Sequence, residues 1–477
     1  MIRAERQEDQ TFIDTVIQSG QAHILDWWAE LSASSKQKLL DQIRQIDFEQ
    51  VKYFQKLLKK KSDHRTLPHM EPVDYIALPQ DESSRRSRDE AKEIGERAIR
   101  SGRTGVFTVA GGQGTRLGYN GPKGSFPCSP VSNKSLFELQ AERILATGEA
   151  YGVTIPWTIM TSPINDETTR SFFEKNNHFG LKSKDVLFAC QRMLPALDKN
   201  GKLILNDKDH IAMSPNGHGG TFLAMRDGGV LDDADRRGVD ILSYYQVDNV
   251  LIHVIDPVFI GYHIQAEAQM SSKMLKKHDP NEKVGHFGRV DGKLRVIEYS
   301  DMTEEDMKAQ NPDGSLKYGA GSIGIHLISI DFVKEELRGG LTLPYHVAHK
   351  KIPILQTDGT VYEPESPNGY KFETFVFDAL TDTKASVILE IRREEEFSPI
   401  KNREGSDSPA TAKRDLNNYF GSWLEAAGYK IGRDSNGNVK IDIEIHPLYA
   451  RTKEAFVNKV PKQLEITQQM VFNPDSE

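Results

Sequence analysis

Cysteine is scarce in this sequence, and so is everything that would mark a secreted, membrane-spanning or nucleic-acid-coating chain. Of 477 residues only two are cysteine, Cys128 and Cys190, far apart and without the spacing of metal ligands. That scarcity argues against a disulfide framework or a zinc-binding module, and two packed thiols are expected. No run of the ~18 apolar residues that a membrane span requires is present. The opening residues, MIRAERQEDQ, are too charged for the apolar core of a signal peptide. Cations hold no excess either. Sixty-one Lys and Arg stand against 69 Asp and Glu, a formal net charge of -8 without a long run of one sign. Such a balance argues against a general nucleic-acid binder, though a local basic pocket stays open. Repeats and low-complexity segments are missing as well. What remains is an ordinary globular composition, 38% apolar and 8% aromatic, long enough for two or three domains. Such a chain is expected to be soluble and cytoplasmic.

What is present in excess is glycine, over one short stretch. VAGGQGTRLGYNGPKG, residues 109 to 124, follows an apolar strand-like run and gathers six glycines around two cations, Arg116 and Lys123. Glycines let backbone N–H groups approach a ligand and let the chain take positive φ, and phosphate oxygens suit a loop that also carries a guanidinium and an ammonium. Two familiar phosphate motifs fail here. The dinucleotide fingerprint beginning at Gly112 needs glycine or alanine at 117 and finds Leu117. The P-loop needs Gly-Lys-Ser/Thr, whereas Lys123 lies between Pro122 and Gly124. The loop reads as a nucleoside triphosphate grip of a third kind.

Around it the chain alternates strand and helix signals. Strands are expected over 105–110, 156–161, 185–190, 240–246 and 321–328, with helices from Ser135 to Tyr151 and from Asp166 to Asn176. The pattern is that of an α/β fold with a largely parallel sheet, whose ligands sit at the carboxyl ends of the strands. Hairpins are expected at Asn200-Gly201 and at Asp291-Gly292. Upstream, 11–61 has helical periodicity, with Ser34 or Ser35 as a cap and an aromatic stripe read as packing. Residues 62–86 read as a linker or a surface crossing, and Ser87 with Glu90 as a capping box for a helix ending near Gly102. Downstream, Ser408-Pro409 opens a helix that Gly428 stops, and Asn436-Gly437 turns into the alternating VKIDIEI. The expected domains are an N-terminal helical region 1–102, a catalytic domain 103–385 and a C-terminal lobe 386–477.

Few side chains elsewhere invite chemistry. Asp248 follows the apolar strand DILSYYQV, and a carboxylate at that end of a central strand can hold Mg²⁺ beside a triphosphate. His218 sits between glycines in SPNGHGG, a loop open to a ligand or simply to solvent. Glu298 on the second hairpin and Lys401 after a Pro turn read, taken alone, as solvated residues, and at least two of Phe372, Phe375 and Phe377 as core aromatics.

Taken in order, AHILDWWAEL, AGGQGTRLG with PKG, MTSPIND, QRMLPAL, SPNGHGG, QVDN, VIEYSD, GYKFETFVFD and EEEFSPIKN give the chain a resemblance. From about Gln21 to Lys401 it resembles the UTP:sugar-1-phosphate uridylyltransferase family, most of all the eukaryotic-type UDP-N-acetylglucosamine pyrophosphorylases. The resemblance implies a Rossmann-like nucleotidyltransferase core flanked by an N-terminal helical part and a small α+β lobe. It implies that Gly111 and Gly112 contact the uridine end, with Gln191 reading the uracil and Gly217 also on the nucleotide side. Arg116 and Lys123 would grip the triphosphate, Asp248 would carry Mg²⁺, and Lys401 would hold the sugar phosphate. His218, Glu298, Ser322, Phe375 and Phe377 would line the sugar pocket.

UTP and a sugar 1-phosphate are the implied partners, with neither nucleic acid nor membrane involved and the oligomeric state open. Two positions depart from the pattern. The N-acetylglucosamine branch usually carries Asn where His218 and Ser322 stand, and Gly-His-Gly resembles the glucose-type branch. The choice among N-acetylglucosamine, glucose and galactose 1-phosphates therefore stays open. So do a different nucleotide base and a non-catalytic UDP-sugar sensor, although a sensor has no need of Arg116, Lys123, Asp248 and Lys401 together.

Overall fold

The computed structural model describes residues 6–60 and 70–476. It divides into two compact units, one built from 6–60, 191–220 and 342–378, the other from 70–190, 221–341 and 379–476.

The larger unit begins with helix α1 (Glu82–Arg100) and strand β1 (Thr104–Val109). Helix α2 (Leu136–Tyr151), β2 (Trp157–Thr161), α3 (Asp166–Lys175) and β3 (Val186–Cys190) follow. Then come β4 (Ile241–Gln246), α4 (Pro257–Gln265), β5 (Met270–Lys276), β6 (Gly285–Val290), β7 (Lys293–Ile297) and β8 (Ala320–Ser329). Strand β9 (Ile388–Ile391), helix α5 (Pro409–Ala426), β10 (Asp442–Ile445) and β11 (Gln469–Phe472) complete it. Nine of these strands, β1 to β9, and the short strand Met70–Glu71 form a ten-stranded mixed sheet. Its centre is parallel, in the order β4-β1-β2-β3. The fold is therefore α/β and Rossmann-like.

Strand β8 is where the expected alternation ends. It pairs antiparallel with β4, β5 and β6, because the chain reaches it from a hairpin and not through a crossover helix. That hairpin is the expected one: β6 and β7 are joined by Asp291 and Gly292, both at positive φ (52° and 76°), as a type I′ turn requires.

Caps fix the helices. Ser135 accepts the Glu138 amide at 3.1 Å to start α2, and Gly152 ends it at φ 69°. Ser408 and Thr411 form a capping box at the start of α5, with Pro409 in its first turn. Helix α1 corrects the sequence reading. Its box is Asp81 with Ser84, whose exchange of hydrogen bonds starts the helix before Ser87; the Ser87 hydroxyl instead lies 3.2 Å from the Tyr262 hydroxyl. Of the supposed linker, 62–69 lies outside the described residues, as does Lys61 at the end of the upstream helical reading. From Met70 on, the chain pairs with β6 and bridges β9 at Ile76. The tail is α+β in content, yet its alternation yields a strand only from Asp442, paired in parallel with β11.

The cysteines part company. Cys128 is buried, and burial pushes its thiol up to about 12, whereas Cys190 ends β3 exposed and so is not a packed thiol.

The smaller unit packs the helices Gln7–Gln18, Ala33–Gln45 and Phe48–Lys60 around one core. Ser32, not Ser34 or Ser35, caps the second of them by accepting the Ser35 amide. Ile13, Leu39, Val51 and Phe54 meet Leu197, Ile211 and Phe372 there, and Phe54 stacks on Phe372 at 3.9 Å. Trp28 is buried in that core, as expected of packing, whereas Tyr53 is exposed. Phe372 belongs to a small sheet of His346–Lys350, Gly369–Glu373 and Leu197–Asp198. The Asn200-Gly201 turn is present, held by Gln21 and Gln55 amides on the Gly201 carbonyl.

Candidate functional site

In the larger unit the site starts where β1 ends. The glycine loop is pinched shut by the Gly114 amide on the Gly121 carbonyl (2.9 Å) and the Lys123 amide on the Gly112 carbonyl (3.1 Å). Its glycines serve different ends. A Cβ on Gly124 would lie 2.2 Å from the Phe137 ring and one on Gly114 2.8 Å from Tyr119, so those two are packing requirements. A Cβ on Gly112 would meet nothing within 4 Å, so the absence of a side chain there leaves open space. The amides of Gly111, Gly112 and Gln113 have no backbone acceptor among the described residues.

Sequence reasoning missed what braces this loop. Asn165 donates to the carbonyls of Ala110 (2.8 Å) and Gly112 (3.2 Å), and the Ser162 hydroxyl donates to that of Gly111 (2.8 Å). Both belong to SPIND, the segment that directly follows β2, and both brace the loop from more than fifty residues away in sequence.

Arg116 is exposed and enters no ion pair among the described residues. Lys123 is brought onto Asp248: Nζ lies 2.7 Å from Oδ2, with 19% and 9% of the two side chains exposed. Asp248 lies two residues past the end of β4, and its carbonyl accepts the Ile400 amide at 3.0 Å. Its neighbour Asn249 binds the Glu396 carbonyl and the Ser398 amide. This knot delivers Lys401 beside Asp248, with its Nζ 5.8 Å over the Phe397 ring.

Ser322 and Glu298 each neighbour Gly285 of β6. Because β8 runs antiparallel to β4, its start lies at the end where β4 finishes, and a Cβ on Gly324 would sit 3.4 Å from the Gln246 side chain. Ser322 pairs with Gly285 of β6, and a Cβ there would be 3.7 Å from Glu298 Oε1. Glu298 itself lies just past β7, opening a short 3-10 turn rather than within the strand.

Gln191, Gly217, His218, Phe375 and Phe377 belong to the smaller unit. Gln191 is buried at its start. Gly217 is obligatory: φ is +79°, and a Cβ would lie 2.4 Å from the Thr374 carbonyl. The half-buried His218 stacks on Phe375 (5.0 Å, 15°) and lies 5.4 Å from Phe377. Its Nδ1 accepts the Val376 amide at 3.2 Å, which leaves the proton on Nε2. Burial, with nearby His346 adding to it, pushes the imidazole down to about 4, so it is neutral at physiological pH. His346, which the sequence did not flag, stacks on Phe375 at 4.2 Å and pairs with Asp378 at 2.8 Å.

One further cluster has ligand-type residues. His253, Asp256 and Glu396 offer atoms within 4.8 Å of one another. The fully buried Lys273 ammonium lies 2.7 Å from Asp256 and also binds Glu396, so a cation already compensates both carboxylates. Asp256 in addition caps α4, accepting the amides of Val258 and Phe259.

The arrangement is that of a nucleotidyltransferase: a glycine loop at the end of β1, an ion pair beneath it and a lysine from a distant segment. Residues 48–407 match the model of the UTP–glucose-1-phosphate uridylyltransferase family, and the chain belongs to that family. It is 39% identical over 432 residues to human UDP-N-acetylhexosamine pyrophosphorylase-like protein 1, covering 87% of this chain and 85% of the relative. It is 35% identical to UDP-N-acetylglucosamine pyrophosphorylase of Saccharomyces cerevisiae, covering 86% and 90%. The crystal structure of the Trypanosoma brucei uridine diphosphate N-acetylglucosamine pyrophosphorylase in complex with inhibitor superposes with a TM-score of 0.81 at 27% identity, covering all of both chains. The chain is thus a uridylyltransferase. Among its described residues no helix is long and apolar enough to cross a membrane.

Proposed function

We propose that this enzyme forms a UDP-sugar and pyrophosphate from UTP and a sugar 1-phosphate, with N-acetylglucosamine 1-phosphate as the preferred acceptor. The observation that carries the reading is the Lys123–Asp248 pair beneath a glycine loop whose Gly112 leaves space that no packing demands. The acceptor follows from the relatives named above. His218 in place of the usual Asn keeps glucose 1-phosphate as the second reading.

In this reading Gly111, Gly112, Gln191 and Gly217 hold the uridine nucleotide, and Arg116 and Lys123 hold the triphosphate. Lys401 holds the sugar phosphate, and His218, Glu298, Ser322, Phe375 and Phe377 are the residues assigned to sugar recognition. Asp248 suits Mg²⁺ as a buried carboxylate facing a site for phosphate oxygens, the donor set that ion prefers. When bound there, Mg²⁺ would neutralise triphosphate charge and favour departure of pyrophosphate. Before substrates arrive, the Lys123 ammonium compensates Asp248; with a triphosphate present it is the nearest cation to share. The acceptor phosphate is ionised at neutral pH, so attack on the α-phosphorus needs no protein nucleophile and no general base. Catalysis is then positioning and charge stabilisation by the chain's own cations. That Cys128 and Cys190 form no disulfide fits work in the cytoplasm.

The test is pyrophosphate release by the purified protein with UTP, Mg²⁺ and each of N-acetylglucosamine, glucose and galactose 1-phosphates. Release should require both sugar phosphate and metal, and should be fastest with N-acetylglucosamine 1-phosphate. Arg116→Ala and Lys123→Ala should each lose about 10²–10³ in kcat with the fold intact, the scale of a lost oxyanion donor. Near-normal turnover in either would sink the assigned roles.

A further inference from the structure

A second cavity, within the larger unit and away from the glycine loop, has a volume of about 440 Å³. It lies among α1, α2, α5, residues 251–257 and the stretch after β10. That is the size of a pocket for a small organic molecule. One wall is apolar and aromatic: Tyr419 and Trp423, one turn apart on α5 with rings 5.3 Å apart, beside Ile252, Val254 and Ile445.

Its charges do not cancel. Each of three acids on the lining is satisfied by a cation: Asp256 by Lys273 (2.7 Å), Glu96 by Arg100 (2.9 Å) and Glu395 by Arg392 (3.7 Å). Arg143, Arg451, Lys92 and Lys453 also line it, and none enters an ion pair among the described residues. Against them stands only the exposed Glu454. Arg143 is the informative one. It is half-buried, donates to the carbonyls of Val250 (2.7 Å) and Ile252 (3.3 Å), and meets no carboxylate. Arg451 likewise rests on the Tyr151 ring and donates to its hydroxyl at 3.2 Å. A guanidinium held from water without an anion is costly unless an anion joins it.

We propose that this cavity binds a small organic anion, a phosphate or carboxylate head on an apolar or aromatic body. The head lies between Arg143 and Arg451 and the body against Tyr419 and Trp423. Such a ligand would compete for the guanidinium that holds residues 250–252, the stretch that leads directly from Asp248, so occupancy should also alter turnover.

The test uses phenyl phosphate and benzoate as probes, with benzyl alcohol as the uncharged control, on the full-length protein by ligand-detected NMR and thermal shift. At least one anion should bind saturably and the alcohol should not. Arg143→Gln and, as a second variant on the rim, Arg451→Gln should each weaken binding by about tenfold or more. Lys123→Ala should leave it unchanged, which separates this cavity from the phosphate grip and the inference from the assigned activity. Which anion binds better decides between the phosphate and carboxylate sources. Equal binding of the alcohol, binding unaffected by both arginine variants, or binding lost in Lys123→Ala would overturn the proposal.

Discussion

Two histidines carry their protons in ways their neighbours dictate. His263, on α4 and 2% exposed, lies 3.0 Å from the Ser329 hydroxyl, which donates onward to the Ala268 carbonyl. Ser329 must therefore accept from His263 Nε2–H, and Nδ1 must accept from the Ser271 hydroxyl at 2.7 Å. A second proton would place two donors face to face. Burial accordingly pushes His263 down to about 4, as it does His218. Since the ordinary value is near 6.5, the unfolded chain binds more protons than the folded one between those limits. Stability is then complete above about pH 6.5 and falls as the pH drops towards 4, by up to roughly 3 kcal/mol for His263. Urea unfolding across this range should show that slope, and His263→Gln should flatten it. A stability equal at pH 4.5 and 7 in the parent chain would refute the neutral assignment. Turnover above pH 6.5 should likewise carry no inflection from His218, whose Nε2–H stays a donor throughout.

At the scale of elements, the closest approach is the crossing of α1 and α4, and it exists because both helices offer glycine. A Cβ on Gly95 would lie 1.8 Å from the Pro257 carbonyl oxygen, and one on Gly261 1.7 Å from that of Ala91. Neither obstacle is a side chain that could swing away. Gly261→Ala should therefore cost at least about 3 kcal/mol, or prevent folding, although alanine is the better helix former. Gly432→Ala, whose nearest neighbour would be 3.9 Å away, is the matched control and should be nearly neutral in the same denaturant titration. This crossing was illegible in the sequence, where EIGERAI shows a helix paying for a glycine without showing the partner backbone. Turns and one cap were more readable, because Asp291-Gly292 and Ser408-Pro409 act on their own neighbours, whereas the caps at Ser32 and Asp81 were misplaced by a few residues. The direction of β8 was not, since an apolar run has no polarity of its own. The glycine loop after β1 was legible, as were Lys123 and Asp248, which the structure joins as an ion pair. Asn165, His346 and Asp378 were not, because what they brace lies far along the chain.

Each of the two units has a hydrophobic cluster of its own, assembled from different stretches of the chain. The larger collects its strands on either side of 191–220, and the smaller draws 6–60, 191–220 and 342–378 onto a core of its own. Contacts that close the smaller core are long in sequence, so the helices from Gln7 to Lys60 cannot complete it until Phe372 has been made. Phe372 and Phe54 are both fully buried and stack with an interplanar angle of 4°. Phe372→Ala removes one ring from that stack and leaves a cavity that its close-packed neighbours can only partly fill, a loss of about 3–5 kcal/mol. If each unit draws its stability chiefly from its own core, hydrogen exchange should rise steeply in Phe48–Lys60 and Ala33–Gln45 of this variant. The amides of β1, β2 and β4 should keep their protection. An equal rise in those central strands would mean instead that the two cores melt as one cooperative body.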